Sequence, residues 1–189
     1  MELSDEVLCQ RVAAGDEGAF DLLVERYQQR AYRLAWSILR DAEDARDLSQ
    51  EAFIRLFEAA KSFRGRARFS TWFYRLVVNL CLDHRRKHRW WRGARAPAHG
   101  EDEADGSSIE QQPAPAEDPL EHLGKDEAVK SLWTAVDRLS RQQRATLLLQ
   151  VQEELPAAEI AVVLKCSEAT VRVHLHRALA ALRKEMGLA

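Results

Sequence analysis

The sequence predicts an all-α protein: two small helical domains joined by a flexible acidic linker, the C-terminal one a helix-turn-helix. Three observations carry this. Apolar residues recur at three- and four-residue spacing on both flanks of the chain, and no hairpin dipeptide sits between alternating runs. The stretch "GARAPAHGEDEADGSSIEQQPAPAEDP" has almost no large apolar residues, so it cannot bury enough surface to offset its ordering entropy. Near the C-terminus a short apolar helix, a tight "KCS" turn and a longer basic helix follow one another. The domains are therefore placed at 1–92 and 127–189, with 93–126 between them, and each is expected to fold on its own.

In the first domain, Leu3, Val7 and Val12 begin a helical face that Gly15-Asp16 interrupts, with Asp16 as N-cap of the next helix. Ala19, Phe20, Leu23, Val24 and Tyr27 carry that helix on to about Arg40. Asp41 caps a third, whose acidic first turn suits the helix dipole. A glycine loop then leads to a helix from about Ser70 to Arg89. In the second domain, helices are expected over 127–139, 141–152 and 156–164. Ser167 then caps a longer one from Glu168 to Met186. Pro156 stands where a first helical turn tolerates proline. Ile160, Ala161, Leu164, Val171, Leu175 and Leu179 are the expected packing faces of the last two helices.

Net charge is −2. Residues 1–92 hold 17 Lys+Arg and 14 Asp+Glu, residues 93–127 hold 2 and 10, and residues 128–189 hold 9 and 6. An acidic middle thus hides two mildly basic ends. From Lys61 to Arg92 there are ten Lys+Arg against one acid, Asp83, which suits a nucleic-acid surface. The three cysteines, Cys9, Cys81 and Cys166, lie far apart with no Cys/His cluster, so neither a zinc site nor a disulfide framework is indicated. No metal or cofactor is expected. The N-terminus lacks the basic and apolar regions of a signal peptide, and no uncharged apolar run reaches the ~18 residues that span a bilayer. A cytoplasmic location is expected.

Three patterns carry function. "FRGRARFSTWFYRLVVN", residues 63–79, holds four arginines and five aromatic rings. A core would use the rings without the arginines, and a solvated face the reverse. Proteins that hold single-stranded nucleic acid combine both. Trp72 is assigned mainly to packing. Asp47, Gln50, Glu51 and Ile54 share one helix face, apart from a core stripe of Leu48, Ala52 and Leu56. That face suits a basic docking partner, and a merely solvated face would look the same. In "EIAVVLKCSEATVRVHLHRALAALRK", Arg172, His174, His176 and Arg177 lie off the packing face near the start of the second helix, where such motifs read base edges. An ordinary amphipathic helix shares this pattern.

The blocks "DAEDARDLSQEAFIRLF", "SFRGRARFSTWFYRLVVN", "HRRKHR", an acidic linker and "EIAVVLKCSEATVRVHLHRAL", in this order, resemble the extracytoplasmic-function (ECF) sigma factors of bacterial RNA polymerase. The resemblance covers nearly the whole chain outside 93–126. It implies a non-enzymatic initiation factor whose partners are core RNA polymerase and promoter DNA, both double-stranded and as single-stranded non-template strand. An anti-sigma factor is a further implied partner, and no membrane insertion is implied. Asp47, Gln50, Glu51 and Ile54 would bind core polymerase. Phe63, Arg64, Phe69, Ser70, Asn79, Arg85, Arg86 and Lys87 would bind and melt the minus-ten element. Ser167, Thr170, Arg172, His174, His176 and Arg177 would read the minus-thirty-five element. The linker would lie in the RNA exit path. Two other readings remain on the residues alone. A self-sufficient helix-turn-helix regulator leaves the aromatic-basic loop and acidic face unexplained. A nucleic-acid enzyme lacks a metal cluster, an activated nucleophile and a phosphate-cradling loop.

Overall fold

The computed structural model describes residues 3–93 and 127–187, with backbone alone at 85–93 and 127–128. Among the described residues every regular element is a helix: α1 Asp5–Ala13, α2 Glu17–Leu39, α3 Ala42–Ala59, a 3-10 turn Ala60–Ser62, α4 Phe69–Gly93, α5 Glu127–Asp137, α6 Arg141–Val151, α7 Ala157–Leu164 and α8 Glu168–Glu185. The linker assigned to 93–126 lies, from residue 94 on, outside the described residues.

Helix starts follow the capping residues. The Asp16, Asp41 and Ser167 side chains accept hydrogen bonds from the amides of Ala19, Asp44 and Thr170. Each such cap contributes about 1 kcal/mol. Ser140 and Gln143 form a reciprocal capping box at α6. Pro156 gives α7 no side-chain cap, and α4 is capped from a distance. The Phe69 amide, at the head of α4, donates to Glu6 Oε1 of α1 at 3.0 Å. A carboxylate from far along the chain thus takes an orphan amide at the positive end of α4.

In the first half, α2, α3 and α4 pack around Leu23, Tyr27, Leu34, Leu56, Phe69, Phe73 and Val77, and α1 closes one end through Leu8 and Val12. Tyr27 meets Phe69, Phe73 and Tyr74 edge-on, with centroids 5.2, 5.4 and 6.1 Å apart. Edge-to-face pairs of this kind add to the burial of the rings themselves. In the second half, α6, α7 and α8 pack through Leu149, Ile160, Val163 and Val171. Leu179 departs from expectation: it is 45% exposed, while Ala178 is fully buried. The seam of α8 runs through Val171, Leu175, Ala178 and Leu182, and this leaves Leu179 one position off it.

The two halves are packed against each other. α7 lies along α4 and α6 touches α2, and one buried apolar cluster runs through both halves. Linker polarity, from which separate folding was expected, carries no information about whether the faces of α4 and α7 fit one another.

Candidate nucleic-acid interface

The loop 63–68 connects the 3-10 turn to α4. Gly65 has φ +65°, a left-handed conformation that a side chain would strain. The rings turn inward. Phe63 is half-buried, with its centroid 6.1 Å from Phe69 and 5.3 Å from Trp72. Phe69 is fully enclosed and stacks parallel to Phe73 at 6.0 Å. The arginines turn outward: Arg64, Arg66 and Arg68 are exposed. The alternation thus resolves into a ring floor and a cationic rim. Phe69 belongs wholly to the floor, and only Phe63 presents part of its ring. Trp72 is 9% exposed, in keeping with packing.

Further along α4, Asn79 is half-buried, about 15 Å from Phe69 at ~1.5 Å rise per residue. Arg75 lies one turn before Asn79 on the same face and is also half-buried. The sequence reading passed over it. Its i, i+4 relation to Asn79 was the available signal. Ser70 is half-buried in the first turn. Arg85, Arg86 and Lys87 fall within α4, and their side chains lie outside the described residues.

On α3, Asp47, Gln50 and Ile54 are exposed, and Glu51 is half-buried with Arg55 Nε at 2.9 Å from its Oε1. Leu48, Ala52 and Leu56 turn to the core as expected. Phe57, three residues beyond Ile54, is 52% exposed and leans on Phe20 at 5.5 Å. It extends the apolar end of this face. The helical spacing Ile54/Phe57 was the signal for it.

The helix-turn-helix is formed by α7 and α8. Lys165 ends α7 in the left-handed region (φ 54°), and the Cys166 amide donates back to the Ala161 carbonyl at 3.1 Å. Ser167 and Thr170 bond each other at 2.9 Å in the first turn of α8. Arg172, His176 and Arg177 are exposed, with Arg172 held by Glu168 at 3.1 Å. His174 is half-buried, and its Nδ1 is enclosed without a hydrogen-bond partner among the described residues. The sequence placed all four outward. The structure keeps three there and turns His174 partly toward the protein. Among the described residues no group of His, Cys, Asp and Glu could hold a metal ion, and no helix is long and apolar enough to cross a membrane.

The aromatic-basic loop, the acidic helix face and the basic helix-turn-helix occur together in a chain that comparison places among the sigma-type promoter-recognition proteins. Residues 23–91 match sigma-70 region 2, and residues 130–182 match sigma-70 region 4. The chain is 34% identical over 184 residues to the RNA polymerase sigma-H factor of Pseudomonas aeruginosa, spanning 96% of this chain and 93% of that one. It is 33% identical over 183 residues to the ECF RNA polymerase sigma-E factor of Escherichia coli, with the same coverage. A solved complex of CnrH with the cytosolic domain of CnrY shares the fold (TM-score 0.69, 21% identity, 97% of each chain). So does the sigma factor RpoE bound to the anti-sigma factor NepR from Bartonella quintana (TM-score 0.67, 17% identity, 89% of this chain and 96% of that one). The chain belongs to the ECF sigma factors, non-enzymatic subunits with which RNA polymerase initiates transcription at chosen promoters.

Proposed function

We propose that this chain directs core RNA polymerase to a specific set of promoters, with its work divided among the three surfaces. The α3 face of Asp47, Gln50, Glu51 and Ile54, extended by Phe57, docks on core polymerase. Carboxylates at the rim steer association and register, and Ile54 and Phe57 offer apolar area. The α4 surface opens the minus-ten element. Phe63 and Ser70 line a place for an unstacked base over the floor of Phe69 and Trp72, and Asn79 pairs with a base edge. Arg64, together with Arg85, Arg86 and Lys87, neutralises backbone phosphates. Flipping a base costs a few kcal/mol, which stacking and hydrogen bonding in such a place offset. The α8 face reads the minus-thirty-five element through Arg172, His176 and Arg177, with Ser167, Thr170 and His174 at its edge.

The observation that supports this most is the ring-inward, arginine-outward loop 63–68. Exposed arginines around a half-covered ring suit a nucleic-acid backbone beside an unstacked base. The work is done in the cytoplasm, and an anti-sigma factor is a further partner, as it is for the Bartonella quintana factor. Run-off transcription with purified core polymerase and no other sigma factor tests the reading. Discrete transcripts are expected, and a requirement for a second sigma factor would replace it with a helix-turn-helix regulator.

A further inference from the structure

α1 lies outside the residues that match sigma-70 region 2, yet two consecutive acids at its start are tied to the minus-ten surface. Asp5 Oδ2 accepts from the Tyr27 hydroxyl at 2.6 Å, and Asp5 Oδ1 from Arg26 Nη1 at 2.5 Å. Tyr27 is the ring that meets Phe69 edge-on, with centroids 5.2 Å apart. Glu6 Oε1 takes the backbone amide of the same Phe69 at 3.0 Å. Neighbouring carboxylates of α1 thus hold Phe69 by its amide and steady the ring it packs on.

Arg68 explains why this cap comes from afar. The first helical hydrogen bond of α4 runs from the Trp72 amide to the Arg68 carbonyl at 3.1 Å, so Arg68 stands at the N-cap. Helices favour Ser, Thr, Asp or Asn there, because such side chains accept from an orphan amide. A guanidinium only donates. The cap position carries a cation of the rim instead, and Glu6 supplies the missing acceptor, with negative charge at the positive end of the helix dipole.

We propose that Glu6 is a positioning residue for promoter opening: it fixes the head of α4, and with it the loop 63–68 that receives the unstacked base. The proposal rests on the minus-ten assignment above and extends that machinery to α1. The loop has two anchors. At its start the Phe63 amide donates to the Ala60 carbonyl at 3.0 Å. At its end Phe69 is held by Glu6. Between them Gly65 takes a left-handed turn, and the rings of Phe63 and Phe69 stand 6.1 Å apart across the two anchors. With Glu6 gone, the first amide of α4 has no side-chain acceptor, and the last anchor of the loop is free to fray. A lost cap is a small part of a fold's stability. A binding place displaced by a fraction of an ångström loses far more of its function. Glu6 therefore acts through Phe69 on Phe63 and Ser70, without touching DNA itself.

The test uses the full chain in holoenzyme, on a duplex promoter that the wild type opens, with 2-aminopurine in the non-template strand of the minus-ten element. Glu6→Ala should slow opening on the order of tenfold, while capture of core polymerase and protection of the minus-thirty-five element stay as in the wild type. Glu6→Gln should recover most of the rate, because its side-chain carbonyl still accepts from the Phe69 amide. Val12→Ala serves as the control for a merely structural role. It trims the buried side of the same helix, and it should lower stability without a matching loss of opening rate. If Glu6→Ala loses helix content, Glu6→Asp decides the matter: its carboxylate falls one methylene short, and opening should still slow. Opening at the wild-type rate in the Glu6 variants would overturn the proposal. So would a Gln variant as slow as the Ala variant, or a Val12→Ala variant slowed as much. Phe63→Ala separates the two readings. If it dims the signal and Glu6→Ala does not, the positioning role alone falls. If neither does, the minus-ten assignment falls with it.

Discussion

The indoles of Trp36 and Trp133 meet edge to face, with ring centroids 5.5 Å apart and planes at 81°. Arg40 lies over both rings, so its charge is shared between two faces. A cation over an indole is worth about 0.5–2 kcal/mol, more as water is excluded. Replacing Arg40 by Met keeps the aliphatic stem and removes the charge. Urea unfolding should show a loss in that range, with the near-ultraviolet circular dichroism of the tryptophans changed. An unaltered midpoint would mean that Arg40 is held by its backbone conformation alone.

Phe63 and Phe69 should separate stability from promoter opening. Phe69 is fully buried in the aromatic core, and its truncation to alanine should cost about 3–5 kcal/mol. Phe63 is half-covered, so Phe63→Ala should cost far less while slowing opening of duplex promoters. On templates with a pre-melted bubble the defect should shrink. Equal losses of stability in the two variants would show Phe63 to be core as well.

The α3 face should bind polymerase without holding the fold. Ile54 is 54% exposed, so Ile54→Ala should change stability by no more than about 0.5 kcal/mol. Combined with Asp47→Lys and Glu51→Lys it should weaken capture of core polymerase, increasingly so at low salt, where surface charges are least screened. Undiminished capture with intact helix content would remove these residues from the docking surface.

Glu153 carries a pH dependence. Its carboxyl is raised above the ordinary glutamate range chiefly by burial, against the opposing pull of Tyr74 on α4 and of Arg30 and Arg33 on α2. A carboxyl whose folded pKa is raised holds its proton more tightly folded than unfolded. Its charged form burdens the fold near neutrality, and the burden lifts as pH falls through the raised value toward the ordinary one. Glu153→Gln should therefore be the more stable protein at pH 7, with its advantage shrinking on acidification through that window. A gap between the two urea midpoints that stays constant with pH would contradict this.

Most of the fold was legible because its signals are local. Asp16, Asp41 and Ser167 mark helix starts that the structure reproduces, and apolar spacing separated Leu48, Ala52 and Leu56 from the face of Asp47, Gln50 and Ile54. What stayed hidden is long-range. Nothing near Phe69 says that Glu6 will cap its helix. Nothing near Ser37 or Ile38 announces Gln152 and Arg144. Leu179 and His174 were misplaced because helical spacing fixes a face only to within one position, and the neighbouring helices decide which edge is covered. The loop 63–68 was read as alternating rings and charges. Its division into floor and rim required the packing of Tyr27 and Phe73 behind Phe69.

Promoter DNA should open on the surface formed by the loop 63–68 and α4. The most direct measurement places 2-aminopurine at each minus-ten position of the non-template strand and follows fluorescence as holoenzyme meets the duplex. One position should brighten with the wild-type factor, and that signal should fall in both Phe63→Ala and Asn79→Ala, together with open-complex formation. An unchanged signal and unchanged opening in both variants would reduce the loop to packing plus nonspecific charge, and would contradict the account.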